Sequence, residues 1–183
     1  LEAKILGAEE QIIDLEYNLF LEIRDYLAEQ IKRIQKTAEA LAYIDVLQSM
    51  ANVARSYGYV RPEMATDGRI DIKDGRHPVV ESVLPSGGFI PNDTLLDNDE
   101  NRTIIITGPN MAGKSTYMRQ VAMITMMAQM GSFVPARSAH LSVCDRVFTR
   151  VGASDDLSSG QSTFMVEMNE VANILNNATS DSL

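Results

Sequence analysis

The chain has 183 residues, 45% hydrophobic and 22% charged, the balance of a folded chain able to bury a core. Lys and Arg number 16 against 25 Asp and Glu, a net charge of -9, which excludes a basic nucleic-acid module held by a chain-wide cationic field. The single cysteine, Cys144, excludes an internal disulfide framework and a cysteine-based metal cluster, and no run of about 18 apolar residues could form a membrane span. These features predict an intracellular chain of one domain, or one domain plus an appendage. A start at Leu1 and an end at Asp181-Ser182-Leu183 predict a piece of something longer.

From residue 1 to about 57 there is no proline and only Gly7, while Ile13, Phe20, Leu27, Ile34 and Leu41 recur every seven residues. That period predicts an amphipathic helix or helical hairpin, either packed on its own domain or acting as a lever. Residues 1–60 form the first predicted segment and 61–183 the second. Lys4, Arg24, Lys32, Arg33 and Arg55 are interleaved with acids, so this segment reads as a solvated face rather than a DNA groove.

After Gly58 to Pro62 the texture changes. Arg69-Ile70-Asp71-Ile72 and Val79-Val80-Glu81-Ser82-Val83-Leu84 read as strands between turns, and Asn92 to Arg102 as a polar connection. Thr103-Ile104-Ile105-Ile106-Thr107 is short and β-branched, which predicts a buried strand. Lys114 to Met130 reads as a buried helix with its many methionines as core filler, Arg146 to Val151 as a strand, and Ser162 to Asn177 as a helix. This order predicts an α/β fold with a parallel sheet.

Between the predicted strand and helix lies Gly108-Pro109-Asn110-Met111-Ala112-Gly113-Lys114-Ser115, a full match to G-x-x-x-x-G-K-[ST]. The chemistry needs this spacing because glycines let backbone N–H groups close around a phosphate while the next helix presents its positive end. Lys114 would reach the β- and γ-phosphates and the Ser115 hydroxyl would bind Mg²⁺. Hydrolysis also calls for an acidic residue closing a second apolar strand. Asp145, Asp155, Asp156, Glu167 and Glu170 follow the loop, but none ends such a run. Further on, Leu157-Ser158-Ser159-Gly160-Gln161 differs at one residue from the L-S-G-G-Q signature of ABC-type ATPases. Ser162 or Thr163 could cap the helix that follows or could contact phosphate.

The run Thr107 to Gln120, together with Asp155-Asp156-Leu157 and Gly160-Gln161-Ser162-Thr163-Phe164-Met165-Val166-Glu167-Met168, closely resembles the MutS family of DNA mismatch-recognition ATPases. The likeness continues in Gly75-Arg76-His77-Pro78-Val79, Phe133-Val134-Pro135-Ala136 and Thr149-Arg150-Val151-Gly152-Ala153, covering about residue 74 onward. The N-terminal helix is similar to that family's lever and core helices. The resemblance implies a P-loop NTPase fold of ABC type, with a parallel or mixed sheet and ATP or ADP with Mg²⁺ as cofactors. Gly108, Pro109, Asn110, Met111, Ala112, Gly113, Lys114, Ser115 and Thr116 would bind the triphosphate and its metal. Phe89 and Ile90 occupy the place where the family packs against adenine, although a strand-end aromatic in a core fits the letters too. Ser162 would reach the γ-phosphate held by a partner subunit, which makes the site composite and the family dimeric.

The resemblance also implies partners: a second MutS-type subunit, mismatched double-stranded DNA bound mostly through parts outside this chain, and a MutL-type repair protein, in a cytoplasmic, DNA-associated setting. It places the acidic strand and a histidine loop beyond Leu183, so the catalytic acid stays unassigned. The alternative is a module that holds nucleotide or dimerises without catalysis. Phe20-Leu21-Glu22 matches the family's Phe-x-Glu wedge in letters, but Phe20 belongs to the seven-residue series and is expected in a core. His77, before Pro78 in a turn, is expected to be structural.

Overall fold

The computed structural model describes residues 2–85, 88–150 and 163–183, in two compact units, Leu1–Ser49 and Met50–Leu183. A single helix, α1 (Glu2–Tyr57), supplies all of the first unit's regular structure. It is unbroken, as its lack of proline allows, so the hairpin alternative falls away. The seven-residue series does not form a core there. Ile13, Phe20, Leu27, Ile34 and Leu41 are all exposed, Phe20 by 61%. The expected burial of Phe20 is therefore corrected, because a lone helix has no second element against which to bury its stripe.

The second unit is an α/β arrangement around a mixed four-stranded sheet in the order β1 (Glu63–Ala65), β4 (Ser138–Ser142), β2 (Ile70–Gly75), β3 (Asn92–Leu96). Among the described strands β1 and β4 run parallel, and β2 is antiparallel to both its neighbours. The sheet is thus mixed, which departs from the parallel sheet expected from the order of elements and agrees with the parallel or mixed sheet that the resemblance implies. In β2, Ile70 and Ile72 alternate inward with the period of a strand, and Ala139 and Leu141 do the same on β4. The helix α3 (Lys114–Gln129) covers that face with Val121, Ile124 and Ala128, spaced at i, i+3 and i+7. Ile72, Ile124 and Leu141 are wholly buried at the centre.

Several local expectations change. Residues 79–83 belong to a short helix, α2 (Pro78–Val83), with Leu84 as its extended C-cap, not to a strand. Pro78 sits at its start, where a missing N–H costs nothing, and the His77 ring nitrogen Nδ1 accepts the Val80 N–H at 3.3 Å. Conversely, Asn92–Leu96 is a strand despite its polar letters, paired along β2 with a bulge between Ile72 and Gly75. Residues 103–107 form no strand, and Ile104 and Ile105 are exposed, the latter by 84%. β-Branched composition favours a pleated, half-buried surface, but a strand also needs a neighbour to pair with, and none of the described ladders reaches this segment.

Likewise 146–150 is not a strand, although Leu183 donates to Arg146 O at 3.0 Å and accepts from Phe148 N–H at 2.8 Å, the spacing of a parallel pair. Of the methionines expected as core filler, Met111, Met118, Met126 and Met130 are exposed; α3 instead buries Gln120 and Thr125 beside its aliphatic residues.

The last helix, α4 (Thr163–Asn177), is held from outside its own span. Arg150 pairs with Glu167 and Glu170, and Arg146 donates to the Asn177 carbonyl at 2.7 Å, satisfying an end group of the helix. Asp145 accepts from Thr179 and Ser182 hydroxyls in the turn that follows, and these hydrogen bonds hold its carboxyl below the usual carboxylate range. Among the described residues no helix is long and apolar enough to cross a membrane.

Candidate functional site

The loop ahead of α3 takes its shape from three residues with positive φ. Gly108 has φ 150°, Met111 φ 65° and Gly113 φ 85°. Gly113 is the N-cap of α3, and its left-handed backbone explains the glycine: a Cβ there would meet nothing within 4 Å, so conformation rather than space selects the residue. No side chain caps α3 and no acid lies in its first turn. The first intrahelical bond runs from the Tyr117 N–H to the Gly113 carbonyl at 2.9 Å, leaving the earlier amides of the turn without helical acceptors. These donors sit at the positive end of a 16-residue helix.

Lys114 folds back over the loop. Its Nζ donates to the carbonyls of Gly108 at 2.7 Å and Pro109 at 2.6 Å, which fixes a full positive charge beside those amides. Ser115 exposes its hydroxyl one residue further on, and Thr116 is half-buried. Free amides, a cation and a hydroxyl in one turn make an environment that favours a polyanion and can donate an oxygen ligand to a hard cation.

The loop opens into a cleft of about 950 Å³, within the range of roughly 300–1,000 Å³ typical of ligand sites. Met111, Ala112, Gly113, Lys114 and Thr116 line it together with Phe89 and Ile90. Phe89 is half-buried and Ile90 is 81% exposed, so neither serves as core packing. The cleft therefore joins two sets of residues that the sequence analysis singled out separately. Ser162, with the rest of Leu157 to Gln161, lies outside the described residues.

Asn92, Asp93 and Tyr117 also line this cleft, and sequence reasoning missed them. Asp93 is turned toward β2, where its carboxylate accepts the Asp74 N–H at 2.8 Å, with Lys73 at 3.9 Å. For Tyr117 a signal existed: it is one turn beyond Lys114 in the helix that follows the loop, and a half-buried phenol there needs a hydrogen-bond partner. Nearby, His77 performs the structural role expected of it. Burial pushes its pKa down, helped by the positive charge of Arg119.

Fold and loop together define an α/β domain whose glycine-rich turn feeds an uncapped helix N-terminus at the mouth of a cleft. Residues 104–183 match the family model for MutS domain V. The whole chain is 66% identical to the DNA mismatch repair protein MutS of Lachnoclostridium phytofermentans, 63% to that of Clostridium botulinum and 62% to that of Acetivibrio thermocellus. The chain belongs to the MutS family. All of its length aligns with each of these relatives, and it spans about a fifth of their length.

Proposed function

We propose that this segment is the ATP-binding part of a mismatch-recognition protein, in which nucleotide state at a dimer interface governs the grip on mismatched DNA. The observation that carries the proposal is the convergence of Lys114, the positive-φ glycines and the uncapped start of α3 on a cleft that Phe89 and Ile90 also line. A nucleoside triphosphate has the matching polarity: a charged chain at one end and a flat apolar face at the other. A likeness of 62–66% to proteins named for DNA mismatch repair supports the biological setting.

In this reading, residues 108–113 wrap the phosphates with backbone amides, and Lys114 exchanges its two carbonyl acceptors for phosphate oxygens. Ser115 is the residue suited to hold Mg²⁺, which supplies charge neutralisation between the β- and γ-phosphates. Phe89 and Ile90 pack on the base. Ser162 contacts the γ-phosphate bound to a second subunit, so the triphosphate favours the closed pair. Coupling to DNA, and to a MutL-type partner, then follows from the different affinity of nucleotide for the closed and open states.

Titration of ATP and ADP into the protein and its Lys114→Ala variant tests this. The variant should lose ATP affinity by roughly 10-fold or more, as expected for charge-assisted hydrogen bonds, and lose less for ADP. Equal losses for the two nucleotides would remove Lys114 from the γ-phosphate. Phosphate release above the Lys114→Ala background separates a hydrolysing domain from a module that only holds nucleotide.

A further inference from the structure

Tyr117 links the glycine loop to strand β3, whose first residue bonds the turn carrying Phe89 and Ile90. Its N–H donates to Gly113 O at 2.9 Å, closing the first turn of α3 onto the glycine loop. Its hydroxyl donates to Asp93 O at 3.2 Å and accepts from Thr94 Oγ1 at 2.9 Å, both on β3. Thr94 is buried, 2% exposed, so the strand side of the junction is shielded from water, whereas the bond to Asp93 O is exposed at the cleft. At the start of the same strand, Asn92 Nδ2 donates to Ile90 O at 3.0 Å and so holds the turn carrying Phe89 and Ile90. From Ile90 through Asn92, Thr94 and Tyr117 to Gly113, the apolar lining and the phosphate loop are joined by direct bonds.

We propose that Tyr117 is a positioning residue: its hydroxyl fixes the spacing between the base end and the phosphate end of the cleft, and so selects a nucleoside triphosphate over a bare triphosphate chain. The proposal rests on the nucleotide reading given above. No other described hydrogen bond joins α3 to β3. A ligand that touches only the loop does not sense this spacing. A ligand that touches both ends requires it, since a preorganised site avoids the cost of ordering one end against the other during binding.

The test compares ATP with inorganic tripolyphosphate as calorimetric probes, both with Mg²⁺, on the unaltered chain and on Tyr117→Phe, which removes the hydroxyl and keeps the ring. ATP affinity should fall roughly 2- to 10-fold, the effect of one or two neutral hydrogen bonds, while tripolyphosphate affinity stays unchanged. Thr94→Val, which cuts the same junction from the strand side, should show the same split. A merely structural role would weaken both probes together, and that result, or no change in either, overturns the proposal. So does an unaltered chain that binds the two probes equally, because the base end then contributes nothing. If the unaltered chain binds neither probe, the nucleotide reading itself fails, an outcome distinct from a variant that fails to discriminate.

Discussion

Gly75 and Gln120 are packed so closely that a Cβ on the glycine would stand 2.7 Å from the Gln120 Nε2. Gly75 ends β2 just past the bulge, and Gln120 is wholly buried on α3, so the contact sets how near the loop-bearing helix lies to the sheet. The same Cβ would meet Ile72 Cγ2 at 2.9 Å and the Asn92 carbonyl at 3.2 Å. The glycine is required by space, not by backbone conformation.

Gly75→Ala should accordingly destabilise the second unit by about 1–3 kcal/mol, the usual effect of overpacking. Urea unfolding measures it. Combining Gly75→Ala with Gln120→Ala should recover part of the loss, since one of the three close contacts is then gone. A Gly75→Ala variant as stable as the parent would mean that helix and sheet separate freely at this point.

Gly113 presents the opposite case. At φ 85° with nothing within 4 Å of a Cβ, Gly113→Ala should cost about 1–2 kcal/mol through left-handed strain alone. Asn tolerates this region better, so Gly113→Asn should cost less than Gly113→Ala. Thermal unfolding of the two variants side by side checks the order. The reverse order would show that the side chain, not φ, decides the position.

The two histidines should titrate on opposite sides of 6.5. Burial lowers His77, whereas hydrogen bonds donated to Asp67 first and Glu63 second raise His140, at 2.8 and 3.3 Å. For His140, whose folded pKa is raised, the stabilisation is fully present below 6.5 and disappears as pH rises through the folded value. For His77, whose folded pKa is lowered, the unfolded chain takes up the proton first, so stability falls as pH drops from 6.5 toward the folded value. Protonation also removes the Nδ1 acceptor that caps α2. Imidazole proton shifts followed against pH give both values. His140→Ala should flatten the stability profile above 6.5, and His77→Asn below it. Two histidines titrating together would contradict both environments.

Much of the candidate site was legible in the letters because its information is local. Glycine spacing, the lysine and the hydroxyl that follows are demands of one turn on consecutive residues, and α3 begins at Lys114 as the motif requires. The extents of α1 and α4, and the likeness to the MutS family, were legible for the same reason: unbroken runs free of proline and motifs contiguous in sequence. The position of Phe89 and Ile90 beside the loop came from resemblance rather than from periodicity.

Tertiary structure alone decided the rest. Whether 103–107 pairs as a strand, whether Phe20 has a surface to bury against, and which strands run parallel depend on neighbours distant in sequence, which propensity does not encode. Val79 to Val83 are helical where the letters read as a strand, behind a proline at the helix start and an imidazole that accepts the Val80 amide. Tyr117 joined the site for a similar reason. Its ring alone fitted an apolar helix, and only the fold brought its hydroxyl to Asp93 and Thr94, 24 and 23 residues away in the chain.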